Sequence, residues 1–168
     1  MNTSKLGAIA GWLLMMVLPM ADAADVNITI NGKVVAKPCT VSTTSATVNL
    51  GDLYTFNLVA PGAYSPWQSV NLSLTNCPVG TSKVTATFTG TADSSLNYYA
   101  NQGAAGNIAL QLADSGGGNL PSGSTKIVTV NDASLAASFV LQVRAITPSG
   151  NVTQGTIQSL INVTYTYS

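Results

Sequence analysis

Cys39 and Cys77 are the only two cysteines of this 168-residue chain, and its six acidic side chains are all aspartates: Asp22, Asp25, Asp52, Asp93, Asp114 and Asp132. There is no histidine and no glutamate. Without an imidazole the chain has no His base, no Ser–His pair and no common transition-metal ligand. The aspartates are scattered and mostly sit beside Gly, Ser and Asn, where a carboxylate bonds the backbone of its own turn. Gly116-Gly117-Gly118 lacks the Lys-Ser/Thr and the helix that a phosphate loop needs. These absences argue against an enzyme and imply no cofactor and no metal. That leaves the two thiols. A metal site or a reactive thiol lacks a supporting His or a CxxC spacing, whereas an even pair in an exported chain reads as a structural disulfide.

Export is the expectation from residues 1–23. Lys5 supplies the positive start, residues 6–18 are a short apolar run, and Ala21-Asp22-Ala23 puts small residues at the positions a signal peptidase reads. The run falls short of the roughly 20 residues that span a bilayer. The remaining 24–168 are enough for one domain with its own core. Only 7% of residues are charged, with six basic against six acidic. That balance offers no footprint for nucleic acid and no basic patch for anionic lipid. The surface it leaves is rich in Thr, Ser, Asn and Gly, with little to repel a neighbouring copy.

The elements that carry these residues read as strands. Segments 47–53, 68–74, 83–89, 107–113, 126–130 and 137–145 are short apolar or alternating runs, separated by Pro61-Gly62, Pro78, Val79-Gly80, Pro121 and Pro148-Ser149-Gly150. Many short strands with no helical periodicity between them predict an antiparallel sandwich of the immunoglobulin-like kind. The two ends alternate most cleanly. In residues 24–37 the even positions include Val26, Ile28, Ile30, Gly32 and Val34, with Asn27, Thr29 and Asn31 between them. In residues 155–168 the odd positions are Gly155, Ile157, Ser159, Ile161, Val163, Tyr165 and Tyr167. Period-two alternation gives each segment one face for a core and one for water. Alternation alone also fits the first and last strands of one complete sandwich, with Gly155 an ordinary bulge glycine and Tyr167 an ordinary end-of-strand aromatic.

Particular runs carry a resemblance. They are Asp25-Val26-Asn27-Ile28-Thr29-Ile30-Asn31-Gly32-Lys33-Val34-Val35-Ala36-Lys37-Pro38-Cys39, Asn76-Cys77-Pro78-Val79-Gly80-Thr81-Ser82, Leu141-Gln142-Val143-Arg144-Ala145 and Thr153-Gln154-Gly155-Thr156-Ile157-Gln158. To these the end adds Tyr165-Thr166-Tyr167-Ser168, with Tyr167 penultimate and Gly155 at the fourteenth place counting back from Ser168. Together with a signal peptide and one disulfide, they make the chain resemble the chaperone–usher fimbrial (pilin) subunits, and among these the minor tip subunits of type 1 fimbriae.

The resemblance implies an all-β fold: an incomplete immunoglobulin-like antiparallel sandwich lacking its final G strand, with an N-terminal donor-strand extension. It divides the chain into a signal peptide (1–23), the extension (24–37) and a pilin domain (38–168). Val26, Ile28, Ile30, Gly32 and Val34 are then the donor residues. Gly155, Ile157, Ile161, Val163, Tyr165 and Tyr167 line the acceptor groove beside an F strand expected over 157–167. The implied function is a structural link between the tip adhesin and the next subunit by donor-strand complementation. The implied partners are a periplasmic pilus chaperone, an outer-membrane usher and neighbouring subunits, and the implied destination is a fimbria on the cell surface. A major shaft pilin that self-polymerises and a single-domain receptor-binding adhesin are the competing readings.

Overall fold

The computed structural model describes residues 31–33 and 37–168, which contain eight strands, one 3-10 turn and no α-helix. The donor-residue expectations at Val26, Ile28, Ile30 and Val34 fall outside the described residues. The strands are β1 (Thr40–Val41), β2 (Gln68–Thr75), β3 (Lys83–Gly90), β4 (Tyr99–Ala100), β5 (Ala109–Asp114), β6 (Thr125–Thr129), β7 (Ala137–Ile146) and β8 (Ile161–Tyr167). Five of them, in the order β1-β2-β7-β5-β4, form one sheet, and β6-β3-β8 form the other. Every pairing is antiparallel. The all-β sandwich expected from the alternating runs is what the chain forms.

Alternation decides which side chains make the core. Along β7, Ala137, Phe139, Leu141, Val143 and Ala145 are buried while Ser138 and Val140 face out. Val84, Ala86 and Phe88 of β3 are fully buried from the other sheet. Period-two patterning places both sets on inner faces, where they interdigitate as one layer. Tyr99 is also fully buried, and its hydroxyl donates to the Leu120 carbonyl at 3.0 Å. Burial lifts that phenol to about 12, so it stays neutral throughout the physiological range. Position 90, the last of β3, takes a glycine because a Cβ there would lie 2.7 Å from the Leu160 carbonyl oxygen and 2.8 Å from the Tyr99 ring.

Two sequence expectations are corrected. Residues 47–53 do not form a strand: the Asn49 side-chain oxygen accepts the Gly51 N–H at 2.9 Å, and Gly51 adopts φ +69°. This local turn breaks the run, although Val48 and Leu50 still pack half-buried on the core. The final strand begins at Ile161 rather than at residue 157. The backbone of the preceding residues bonds elsewhere, as described below. Strands β1 and β4, two residues each, had no period to betray them.

Two of the aspartates, Asp93 and Asp114, serve turns. Asp93 accepts the Tyr98 N–H at 3.0 Å and the Ser95 hydroxyl at 2.9 Å. Asp114 accepts the N–H groups of Gly116 (3.0 Å) and Gly118 (2.8 Å) and the Lys126 ammonium at 2.6 Å. The Lys126 bond, then the Gly118 N–H, hold the Asp114 carboxyl below the usual carboxylate range. A folded value below the unfolded one means a stabilising contribution that is complete above about pH 4 and lost as pH falls through the depressed value. Asp114→Asn should therefore cost about 1–2 kcal/mol at neutral pH. The gap between the urea midpoints of wild type and variant should close on acidification. A gap that persists at low pH would assign the effect to something other than the carboxylate.

Candidate functional site

The two faces of β8 meet very different surroundings. Its register on β3 sets Ile161 opposite Gly90, Val163 opposite Phe88, Tyr165 opposite Ala86 and Tyr167 opposite Val84. The side chains of Val84, Ala86 and Phe88 are fully buried, yet Ile161, Val163, Tyr165 and Tyr167 point the same way and are only half-buried. The difference is position. β3 has a strand on each side, whereas β8 has β3 on one side and no strand on the other among the described residues. Its outer backbone N–H and C=O groups are an unpaired edge.

Beside that edge the sandwich is split by a cleft of about 530 Å³. One rim is β8 with Leu160, which is 64% exposed; the other is Val41 and the irregular stretch Thr43, Thr44, Ser45 and Ala46. Its floor is the core itself: Leu72, Phe88, Leu112 and Leu141, with Val48 and Val70 alongside. Among the described residues, no Asp, Lys or Arg lines it. Phe139 and Tyr165 meet across the sheets with ring centroids 5.8 Å apart. Burial pushes the Tyr165 phenol up, with neighbouring Tyr167 adding to it, and burial also raises Tyr167. An apolar trough beside a row of free backbone groups suits one kind of occupant. That is an extended segment with apolar side chains at alternate positions and hydrogen bonds for the edge.

Of the expected groove residues, the structure brings Ile161, Val163 and Tyr165 to the cleft, and Tyr167 continues their face at the far end of β8. Gly155 and Ile157 lie off the strand ladder. Ala105 N–H donates to the Thr156 carbonyl (3.0 Å), Gln102 N–H to the Gln158 carbonyl (2.7 Å), and Gln158 N–H to the Asn101 side-chain oxygen (2.8 Å). This segment is therefore laid on loop 101–105 instead of β3. A Cβ at Gly155 would overlap the backbone of Ala104 and Ala105, which explains a glycine there by close approach. Ile157 packs half-buried on the core. Gly32 is exposed, and no described residue occupies the space where a side chain would project.

Cys39 and Cys77 are joined, as their number and setting suggested. Both are buried, and they bracket the pairing of β1 with β2, where Thr40 faces Thr75. The bond thus fastens the short strand that forms one rim of the cleft. Sequence reasoning missed the floor residues Leu72, Phe88, Leu112 and Leu141 as site residues. Each reads as ordinary core in its own strand and stays buried, and only the open edge of β8 among the described residues makes them the floor of a cleft.

Comparison with known proteins agrees with this architecture. The chain matches the family described as fimbrial protein over residues 28–168. It is 58% identical to Protein FimG of Escherichia coli (strain K12) over 168 residues, covering the whole of both chains. It is 40% identical to the S-fimbrial adhesin protein SfaS of Escherichia coli O6:K15:H31 over 166 residues, 98% of this chain and 99% of that one. Among solved structures, the P pilus rod subunit PapA superposes with a TM-score of 0.65, covering 79% of this chain and all of PapA, at 19% identity. At that identity the likeness speaks to the fold alone. A sandwich open beside its last strand, a matching family over 28–168 and 58% identity to Protein FimG along the full length of both chains lead to one conclusion: this chain belongs to the fimbrial protein family.

Proposed function

We propose that this chain is a minor subunit of a type 1-like fimbria that joins the tip adhesin to the next subunit by exchanging strands with both. The observation that carries the reading is the half-buried apolar face of β8 on an open edge over the 530 Å³ cleft. In this reading residues 1–23 direct export, residues 24–37 enter the adhesin's groove, and residues 38–168 offer the cleft to the following subunit. Val26, Ile28, Ile30 and Val34 are the inserted side chains, with Gly32 where room is short. A one-residue slip would turn Asn27, Thr29 and Asn31 inward, so register is part of recognition. A chaperone strand occupies the cleft in the periplasm, and the usher exchanges it for the donor strand.

The test is a titration. A peptide of residues 24–37 should bind the pilin domain of the tip adhesin at least roughly tenfold more tightly than it binds the cleft of its own chain, a difference of about 1.4 kcal/mol. Equal or tighter binding to its own cleft would make the chain a self-polymerising shaft subunit instead. The relative SfaS is named an adhesin, which supports a second reading in which exposed loops bind a receptor. A signal on a glycan array from the strand-filled monomer would favour that reading, and a blank array would leave the adaptor role standing.

A further inference from the structure

We propose that Asn31-Gly32 is a deamidation site that ages the free N-terminal segment, and that seating in a groove stops the reaction. The inference rests on the donor-strand reading above and adds a modification to it. Asn31-Gly32 is the only Asn–Gly pair in the chain. Asn31, Gly32 and Lys33 are all exposed, and none lies in a strand. Among the described residues, nothing stands within 4 Å of where a Gly32 side chain would begin. The other asparagines differ in kind. Asn76, Asn107 and Asn151 precede Cys77, Ile108 and Val152, whose side chains shield the following N–H. Asn131 precedes Asp132, but its side-chain oxygen is held by the N–H groups of Ala133 and Ser134, both at 3.0 Å.

The chemistry needs only water. The deprotonated backbone nitrogen of Gly32 attacks the Asn31 side-chain carbonyl carbon. The bond from that carbon to the side-chain nitrogen breaks, ammonia leaves and a five-membered succinimide closes. Water then adds to one of the two ring carbonyls, giving either aspartate or a β-linked isoaspartate at position 31. Glycine permits the backbone rotation that brings its nitrogen onto the side-chain carbonyl. An extended strand, with the Gly32 backbone fixed in a ladder, does not.

The two products have unequal consequences. Asn31 lies on the polar face of the alternating segment, so an aspartate there leaves the apolar face intact. Isoaspartate routes the backbone through the side-chain methylene and lengthens it by one atom. Val26, Ile28 and Ile30 on one side then fall out of step with Val34 on the other, and a register-dependent groove rejects the strand. The cleft beside β8 belongs to residues 38–168 and is untouched. An aged subunit can therefore accept a strand but cannot donate one, and in a head-to-tail polymer it is refused entry.

The experiment incubates the full exported chain at neutral pH and body temperature, alone and bound through its N-terminal segment to the pilin domain of the tip adhesin. Peptide mapping by mass spectrometry follows aspartate and isoaspartate at position 31. Conversion should be roughly tenfold or more slower in the bound sample, since reaction requires the dissociated fraction. When aged chain is offered fresh adhesin domain, the isoaspartate fraction should stay unbound, while fresh chain, the Asp fraction and Asn31→Gln all bind. Equal conversion rates, or isoaspartate chain entering the complex as well as fresh chain, would overturn the inference and leave the donor reading intact. Failure of fresh chain to bind at all would overturn both.

Discussion

Residues 38–168 extended after Ser168 by a short flexible linker and residues 24–37 should unfold at a much higher denaturant concentration than residues 38–168 alone. The cleft leaves Ile161, Val163 and Tyr165 half-buried over an apolar floor. Filling it buries four large side chains, Val26, Ile28, Ile30 and Val34, each worth roughly 1.5–3 kcal/mol when fully covered. Ordering the strand opposes this gain, and the hydrogen bonds made along β8 add to it. A net gain of about 3–6 kcal/mol is expected, a large share of the roughly 5–15 kcal/mol that holds a whole domain together. The thermal midpoint should rise by roughly 10–20 °C. Two control grafts sharpen the result: one carrying Ile30→Asp and one moved by a single residue should both forfeit most of the gain. A stable monomer of residues 38–168, with no benefit from the graft, would sink the strand-exchange proposal.

Removing the disulfide should have the next largest effect. Cys39 and Cys77 are separated by 38 residues. Closing a loop of that length stabilises the fold by about 4 kcal/mol on the chain-entropy account. The structure adds a local reason. β1 is two residues long and, among the described residues, pairs only with β2, through Thr40–Thr75 and Val41–Leu74. The Ser42 and Thr43 N–H groups extend this pairing by donating to the Ser73 carbonyl (2.9 and 3.3 Å), and the covalent bond adds a fixed anchor where the rim of the cleft begins. Cys39→Ala with Cys77→Ala should lower the unfolding free energy of the strand-filled protein by about 3–5 kcal/mol. It should also weaken binding of a donor peptide. A double variant that keeps full peptide affinity would show that β1 holds its place without the bond.

The chain's sequence announced the strands long enough to display a period. Gln68–Thr75, Lys83–Gly90 and Ala137–Ile146 appear within a residue of where alternation put them. The period failed where local bonding overrode it. Asn49 and Gly51 turn residues 47–53 aside, and loop 101–105 captures the backbone at 155–158 before β8 can begin. Half of the candidate site was legible as well, since Val163 and Tyr165 stand out as the inward face of a terminal strand. The cleft floor was not. Phe88 and Leu112 look like any buried residue of an inner strand, and a missing neighbour leaves no mark in the sequence of the strands that remain.

The bond between Cys39 and Cys77 also decides how the domain behaves under tension. Under the strand-exchange proposal, a pull delivered through residues 24–37 arrives at Cys39 and crosses directly to Cys77, next to the end of β2. The 38-residue separation between them, with β1 and β2 inside it, is bypassed by the load. Fully extended, that stretch would reach roughly 130 Å. It stays folded, held in reserve behind a covalent clasp, so a fibre built from such subunits resists lengthening at the joint where each one hangs from the last.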